Sequence, residues 1–284
     1  MVIKEGDRLF DFFVHAFLIA TGIIFLFPVL YVVSVSLTSY EDYMKAGGVF
    51  LFPKNPTLTA YTQYLKEPYV WESFGTTLLI TLLGTALNIL GTVLMAYPLS
   101  KTKLVFKRFF DWFVLIPMLM NGGMIPTYLI VRYTGLMNTI WAYMIPSLIW
   151  SHVLMITRTF FARMDSSLQE SAYIDGAGEM RTLFGIVLPL SMPIIVTIGL
   201  MYAVSHWNEY FAGYLYISTP ALKSMQVFLR ELLERNTEAT GEHTVATKSM
   251  QMAGIVISAI PIVAVYPFLQ RFFTKGMMLG AVKG

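Results

Sequence analysis

Long apolar runs, separated by short charged segments, set the pattern of this chain. A bilayer core of about 30 Å is crossed by a helix of about 20 apolar residues. Six stretches reach that length, at about 12–37, 74–98, 109–131, 138–160, 183–204 and 250–269. The ionisable residues of note within them are His15, Asp111, His152 and Arg158. His15, Asp111 and Arg158 lie near span ends, where a side chain reaches the headgroups. His152 alone sits deep. Pro28, Pro117, Pro126, Pro146, Pro193 and Pro261 fall within or at the edges of spans, so bent helices are expected where neighbours cover the opened backbone. The pattern predicts an all-α integral membrane protein whose single domain covers 1–284.

Composition strengthens this reading. Hydrophobic residues make up 56% and charged residues 13%, against about 25% charged in an ordinary soluble domain, and mean hydropathy is +0.63. The absence of cysteine excludes a disulfide scaffold, a thiolate zinc site and a cysteine nucleophile. A net charge of +3 is too small and dispersed to suggest nucleic-acid binding. The first apolar run is longer than a signal-peptide core and lacks a small-x-small site after it, so it reads as a retained helix.

Lysine and arginine counts give the orientation. With the N-terminus inside, the inner segments 1–12, 99–108, 158–184 and 271–284 hold 12 basic residues in 63 positions, and the outer segments hold 8 in 88. Lys101, Lys103, Lys107 and Arg108 form the sharpest cluster. Both termini are expected in the cytoplasm.

The inner loop at 162–189 carries the most information. Ser167 and Glu170 have the S-x-x-E spacing of a capping box, which predicts a helix start. Leu168, Ala172, Tyr173 and Ile174 give that short helix an apolar side. Gly176 supplies a residue that tolerates the left-handed conformation closing a helix. A second helix is expected from about Gly178 into the fifth span through Ile186, Leu188 and Pro189. The result is a helix–turn–helix elbow attached rigidly to a membrane helix. Its short helix either docks into a partner's groove or packs on its own bundle, and the residues alone leave both open.

Glu170-Ser171-Ala172, then Gly176, then Ile186, Leu188 and Pro189 resemble the EAA loop of bacterial ABC importer permeases: EAA, three residues, G, nine residues, I-x-L-P. Asp175-Gly176-Ala177 also follow that family's form, and Ser171 replaces the middle alanine, one small residue for another. The carboxyl end from Gln270 to Gly284, and Trp207-Asn208-Glu209-Tyr210-Phe211, resemble permeases of the maltose-type carbohydrate-uptake group. Within that group the chain is most similar to the branch importing oligosaccharides of complex polysaccharides, oligouronides among them.

The resemblance implies a six-transmembrane-helix permease bundle with a cytoplasmic EAA coupling helix, in the bacterial cytoplasmic membrane. It implies pairing with a second, different permease, two ATPase subunits beneath, and an extracytoplasmic substrate-binding protein delivering sugar. The elbow helix would sit in an ATPase groove. Leu168, Ala172 and Tyr173 would supply its contact and Gly176 its turn, with Ser171 and Ala177 in the same motif and Glu170 and Asp175 at the rim or as caps. The chain has no G-x-x-x-x-G-K-[ST] motif, whose amides and lysine would hold phosphates. It is therefore expected to bind no cofactor and to be no enzyme, with ATP and Mg on the partner ATPases.

Sugars are held by aromatic faces together with amides and hydroxyls. Candidates for the pathway are Asn88 in the second span, Asn121 at the Asn121-Gly122-Gly123 interruption of the third, Trp150 and His152 in the fourth, and Trp207, Asn208 and Glu209 beyond the fifth. Each has a plainer reading. Asn88 suits a helix–helix hydrogen bond, Trp150 suits packing, and the 206–210 cluster suits an interfacial aromatic belt. In the maltose-type family the partner permease can hold most of the substrate, so direct contact by this chain stays open. The outer segment 205–250 is 46 residues long and charged, a length that goes with a role of its own, and it is expected to meet the binding protein.

The competing function is an ion- or proton-coupled carrier acting without an ATPase. The lack of an Asp or Glu deep in a span disfavours it. A membrane-embedded metal hydrolase is poorly supported, because His15, His152, His206 and His243 form no H-E-x-x-H or similar pair.

Overall fold

The computed structural model describes residues 5–48, 50–120, 122–235, 248–265 and 267. Among them the chain is helical, and its one isolated β-bridge pairs Thr38 with Pro56. In order the helices are α1 (Glu5–Ser36), α2 (Tyr40–Lys45), α3 (Thr59–Lys66), α4 (Pro68–Ser100), α5 (Lys107–Leu119), α6 (Met124–Tyr133), α7 (Trp141–Met144) and α8 (Ser151–Ala162). There follow α9 (Ser166–Ile174), α10 (Glu179–Thr182), a π-helical turn Leu183–Val187, α11 (Leu188–Leu190), α12 (Met192–Trp207), α13 (Phe211–Tyr216) and α14 (Met225–Arg235). The last is α15 (Lys248–Val265).

Among the described residues three helices are long and apolar enough to cross a bilayer, over Phe10–Ser36, Pro68–Ser100 and Lys248–Val265, and two bent pairs raise the number to five. The apolar stretches at 109–131 and 183–204 are therefore not straight rods. Between α5 and α6 the chain turns by 118°, after Pro117 in the last turn of α5 and through Gly123 at φ +87°. The fifth stretch is bent by 85° between Glu179–Leu190 and Met192–Trp207. Pro189 and Pro193 each remove a helix donor there, and Ser191 instead donates its N–H to both Val187 and Leu188, which is how proline kinks a helix. The expected rigid attachment of the elbow to a full membrane helix is corrected accordingly: the elbow continues straight only as far as Leu190.

The stretch at 138–160 departs furthest from expectation. It is not one helix. Asn138 is left-handed at φ 56°, α7 is a single turn, residues 145–150 are non-helical, and α8 begins after an extended Trp150.

The chain divides into two compact units, the first from 1–70 and 229–261, the second from 71–228 and 262–284. In the first unit, segment 38–57 folds back on the end of α1: Tyr31 donates to Gly48 O at 2.9 Å, Ser34 donates to Leu51 O, and Thr57 N–H donates to Leu37 O at 2.8 Å. Ser249 Oγ donates to Thr38 O at 3.0 Å. A Cβ on Gly254 would stand 2.6 Å from Leu229 and 2.7 Å from the fully buried Tyr64 ring, so the glycine makes room for α3 and α14 to pack on α15. In contrast, α1 leaves Phe12, Phe17, Ile24 and Phe25 largely exposed.

In the second unit α4 is the central post. Val93, Ala96, Tyr97 and Leu99 bury against Val114 of α5, Leu154 and Phe161 of α8, and Leu183 and Val187 of the π-helical turn. Farther up α4, Ile80 joins Val131, Ala142, Tyr143, Met144, Tyr216 and Ile217. Asp111 and Arg158, which lie near the ends of their apolar stretches, meet at 2.8 Å, both mostly covered. Pairing neutralises two charges that are costly in an apolar layer.

Candidate functional site

The elbow forms where the sequence places it, with a different cap. Asp165, not Ser167, is the N-cap of α9, and its carboxylate accepts the Ser167 N–H at 3.0 Å. That bond holds the Asp165 carboxyl below its ordinary carboxylate range. The Ser167–Glu170 spacing is present, but Asp165 two residues earlier satisfies the free helix donor first. At the other end, Gly176 N–H donates to Tyr173 O at 3.0 Å and Ala177 N–H to Ala172 O at 2.9 Å. With Gly176 at φ +76°, this is a Schellman closure, in which the left-handed residue lets two orphan carbonyls be satisfied. Asp175 is the C-cap residue.

Of the nine residues of α9, only Ala172 is buried. Leu168, Tyr173 and Ile174 remain exposed, Ile174 at 86%. Glu170, Ser171, Asp175 and Gly176 are also exposed, and Ala177 is half-buried. Ser171 Oγ turns back to Ser167 O at 2.8 Å. The elbow thus presents Leu168 and Ile174 as an apolar surface left exposed among the described residues.

Sequence reasoning missed the polar cluster beneath this elbow. Tyr97 and Tyr173 each donate to Oε2 of Glu179 at 2.8 Å. Lys101 Nζ lies 3.7 Å from that oxygen, 3.0 Å from the Tyr173 hydroxyl and 4.4 Å from the centre of the Tyr97 ring, and it donates to Gln169 Oε1. The signal available was Lys101 at the end of the second apolar run and Glu179 at the start of a helix. Neither shows its partner from spacing.

A second network lies at the break in the 138–160 stretch. Asn88 donates its amide to Ser147 O at 2.7 Å and to Leu148 O at 2.8 Å. Its Oδ1 lies 2.6 Å from His206 Nε2. One turn along α4, Thr92 and the Tyr202 hydroxyl are 2.8 Å apart, and the same hydroxyl accepts from Trp150 N–H at 3.3 Å. Trp150 packs on Tyr202 and stacks with His152, at centroid distances of 4.9 and 5.4 Å. His152 is exposed and lines two adjoining concavities of about 510 Å³ each, one with Met118, Thr159 and Arg163, the other with Pro146, Trp150 and Ser151.

The other pathway candidates are dispersed. Trp207 is buried, edge-on to Phe74 at 6.0 Å. Asn208 donates back to Val204 O at 2.8 Å, ending α12. Glu209 Oε1 accepts from Ala212 N–H at 2.9 Å, starting α13. Asn121, segment 236–247 and the carboxyl-terminal motif from Gln270 lie outside the described residues. Asn138 is a further residue the sequence did not single out. Its Oδ1 accepts from Ser218 and Thr219 N–H at 3.0 and 2.9 Å, and its amide donates to Thr219 Oγ1 at 2.8 Å.

Comparison with known proteins accounts for this architecture. Residues 88–279 match the family described as "Binding-protein-dependent transport system inner membrane component". Protein LplC of Bacillus subtilis (strain 168) is 40% identical over 99% of this chain and 97% of its own length. From the same organism, the polygalacturonan/rhamnogalacturonan transport system permease protein YtcP is 36% identical over 98% of this chain and 99% of its own. A chain in the crystal structure of a bacterial ABC transporter involved in the import of the acidic polysaccharide alginate is 28% identical. It superposes with a TM-score of 0.89 over 96% of this chain and 99% of that one.

Proposed function

This chain belongs to the family of binding-protein-dependent transport inner membrane components, and from that membership we propose its working parts as the permease subunit of an ABC importer that carries oligosaccharide across the bacterial inner membrane. The observation that carries the assignment of parts is the elbow at 165–178. A capped helix whose apolar residues are exposed, closed by a left-handed glycine, suits insertion into a complementary groove. Leu168, Tyr173 and Ile174 make the inserted surface. Gly176 supplies the turn by which α9 leaves the bundle, and Glu170 and Asp175 lie at its rim. Two ATPase subunits, which bind ATP and Mg, occupy the cytoplasmic side, and this chain binds no cofactor.

We infer the finer membrane arrangement as six crossings in one domain with both termini in the cytoplasm. The three long helices and the two bent pairs supply five, and the broken α7–α8 stretch supplies the sixth, its opened carbonyls satisfied by Asn88. The basic cluster at Lys101, Lys103, Lys107 and Arg108 supports the orientation. A second permease and an extracytoplasmic binding protein complete the complex, and segment 205–250 faces the binding protein.

The substrate class is an oligosaccharide of the oligouronide kind, by similarity to the relatives that carry polygalacturonan, rhamnogalacturonan and alginate. Within this chain, Trp150 and His152 are the pathway residues we favour, since they border an open concavity. Asn88 and Trp207 are already engaged inside the fold.

Co-purification with candidate ATPases tests the reading. Gly176→Pro is incompatible with a positive φ, and Leu168→Glu places a charge on the docking surface. Both should lose the ATPase while the six-span chain still inserts. Retained ATPase binding together with retained ATP-dependent uptake would overturn it.

A further inference from the structure

Exposed α9 needs something other than burial to hold it, because Ala172 is its single buried residue. Gly176 and Gly178, which join it to α10, carry no Cβ to stiffen the connection, so a push on α9 would be absorbed by a pivot at the turn. The polar cluster bridges that turn. Tyr97 comes from the last turn of α4 and Lys101 directly follows that helix, Gln169 and Tyr173 come from α9, and Glu179 is the first residue of α10. One carboxylate oxygen, Oε2 of Glu179, accepts hydroxyls from α4 and α9 together at 2.8 Å. Lys101 Nζ sits near both tyrosine rings, at 4.4 and 5.5 Å from their centres, and reaches Gln169, one turn along α9 from Tyr173. Tyr97 is itself fixed, buried at 5% exposure in the core against Leu183.

We propose that Glu179 is a positioning residue that clamps α9 to the end of α4, so that displacement of α9 by the ATPase is delivered to the second span as a rigid-body movement rather than lost at the Gly176 turn. The proposal rests on the reading of α9 as the ATPase-docking helix. Charge-assisted hydrogen bonds suit this task because they are short and directional, whereas an apolar contact would let α9 slide.

The chain has no native cysteine, so a spin-label pair can be placed cleanly. Ser166→Cys on α9 and Lys103→Cys just beyond α4 are both exposed positions. Their separation is read in the assembled complex without nucleotide and with ATP under EDTA. With the native cluster the distance distribution should be narrow and the same in both states. Glu179→Ala should shift and broaden it when ATP is added, and Glu179→Gln, which keeps an oxygen for both tyrosines, should restore the narrow distribution. Tyr97→Phe serves the same comparison if Glu179→Ala fails to assemble. A native distance that changes with ATP, or alanine and phenylalanine variants that match the native chain in both states, would overturn the clamp. If the native chain does not co-purify with its ATPase, it is the docking reading that fails. If it does, and the distances ignore Glu179, the clamp alone fails.

Discussion

His206 presents its Nε2 to the amide oxygen of Asn88 at 2.6 Å, and both side chains are buried. The two amide hydrogens of Asn88 are already given to Ser147 and Leu148 carbonyls. Its oxygen must therefore accept, and His206 must carry a hydrogen on Nε2. One side chain thereby satisfies two carbonyls of a broken helix and one imidazole. Asn88→Leu, close in volume, strands all three groups. It should cost about 3 kcal/mol or more, at the usual penalty for unpaired buried groups. Thermal unfolding of the purified chain in detergent checks this, and an unchanged Tm would show that water or another side chain takes over.

Gly84 faces the same ring. A Cβ there would stand 2.6 Å from His206 Nε2. Gly84→Ala should destabilise by about 1–3 kcal/mol, the usual penalty of overpacking. Combining it with His206→Ala should cost less than the sum of the two single changes, because the second opens the space the first needs. Strict additivity in that cycle would mean the helices simply move apart.

Asp111 of α5 and Arg158 of α8 make a mostly covered ion pair. Removing one partner leaves the other charge covered and unpaired, so Asp111→Ala or Arg158→Ala should cost about 3 kcal/mol, toward the lower end of the buried-pair range because both keep some exposure. The double change Asp111→Leu/Arg158→Leu should be milder than either single one. Membrane-inserted yield and Tm read the difference, and equal losses for all three would point to packing rather than charge.

At the elbow, Gly176 and Gly178 offer a matched comparison. Gly176 holds φ at +76°, while Gly178 has φ −77° with no atom close to its missing Cβ. Gly176→Ala should cost about 1–2 kcal/mol, the left-handed penalty for an L residue, and should weaken ATPase association. Gly178→Ala should leave association unchanged. Equal effects would mean that flexibility, not the left-handed turn, matters there.

Much of the elbow was legible in the sequence because its constraints are local. A helix of this length needs an acceptor at its start and a left-handed residue at its end, and both lie within a few positions of the apolar face. The cap itself was misread, since Ser167 and Glu170 satisfy a known spacing while Asp165 does the bonding. At 145–150 Pro146 marked a bend, but the length of the break was not legible, since the partner that makes it tolerable is Asn88, 59 residues before Ser147. Glu179 was passed over because Tyr97 lies 82 residues before it and Tyr173, though near in sequence, is reached only across the Gly176 turn, so no periodicity joins the three. The pathway candidates split according to what each side chain finds nearby. Trp207, Asn208 and Glu209 read as a belt or a binding cluster on paper, whereas in the fold one packs an aromatic edge, one ends a helix and one starts the next.

The Asn88 contact also has a consequence for how this protein can diverge. Its amide grips main-chain oxygens, which every residue type carries alike, so positions 147 and 148 are free to exchange side chains without touching the bond. Position 88 has no such freedom, because only an amide of that reach offers two donors and an acceptor at once. Sequence drift across this junction should therefore be one-sided, with variety accumulating on the opened strand of chain and almost none on the helix that holds it.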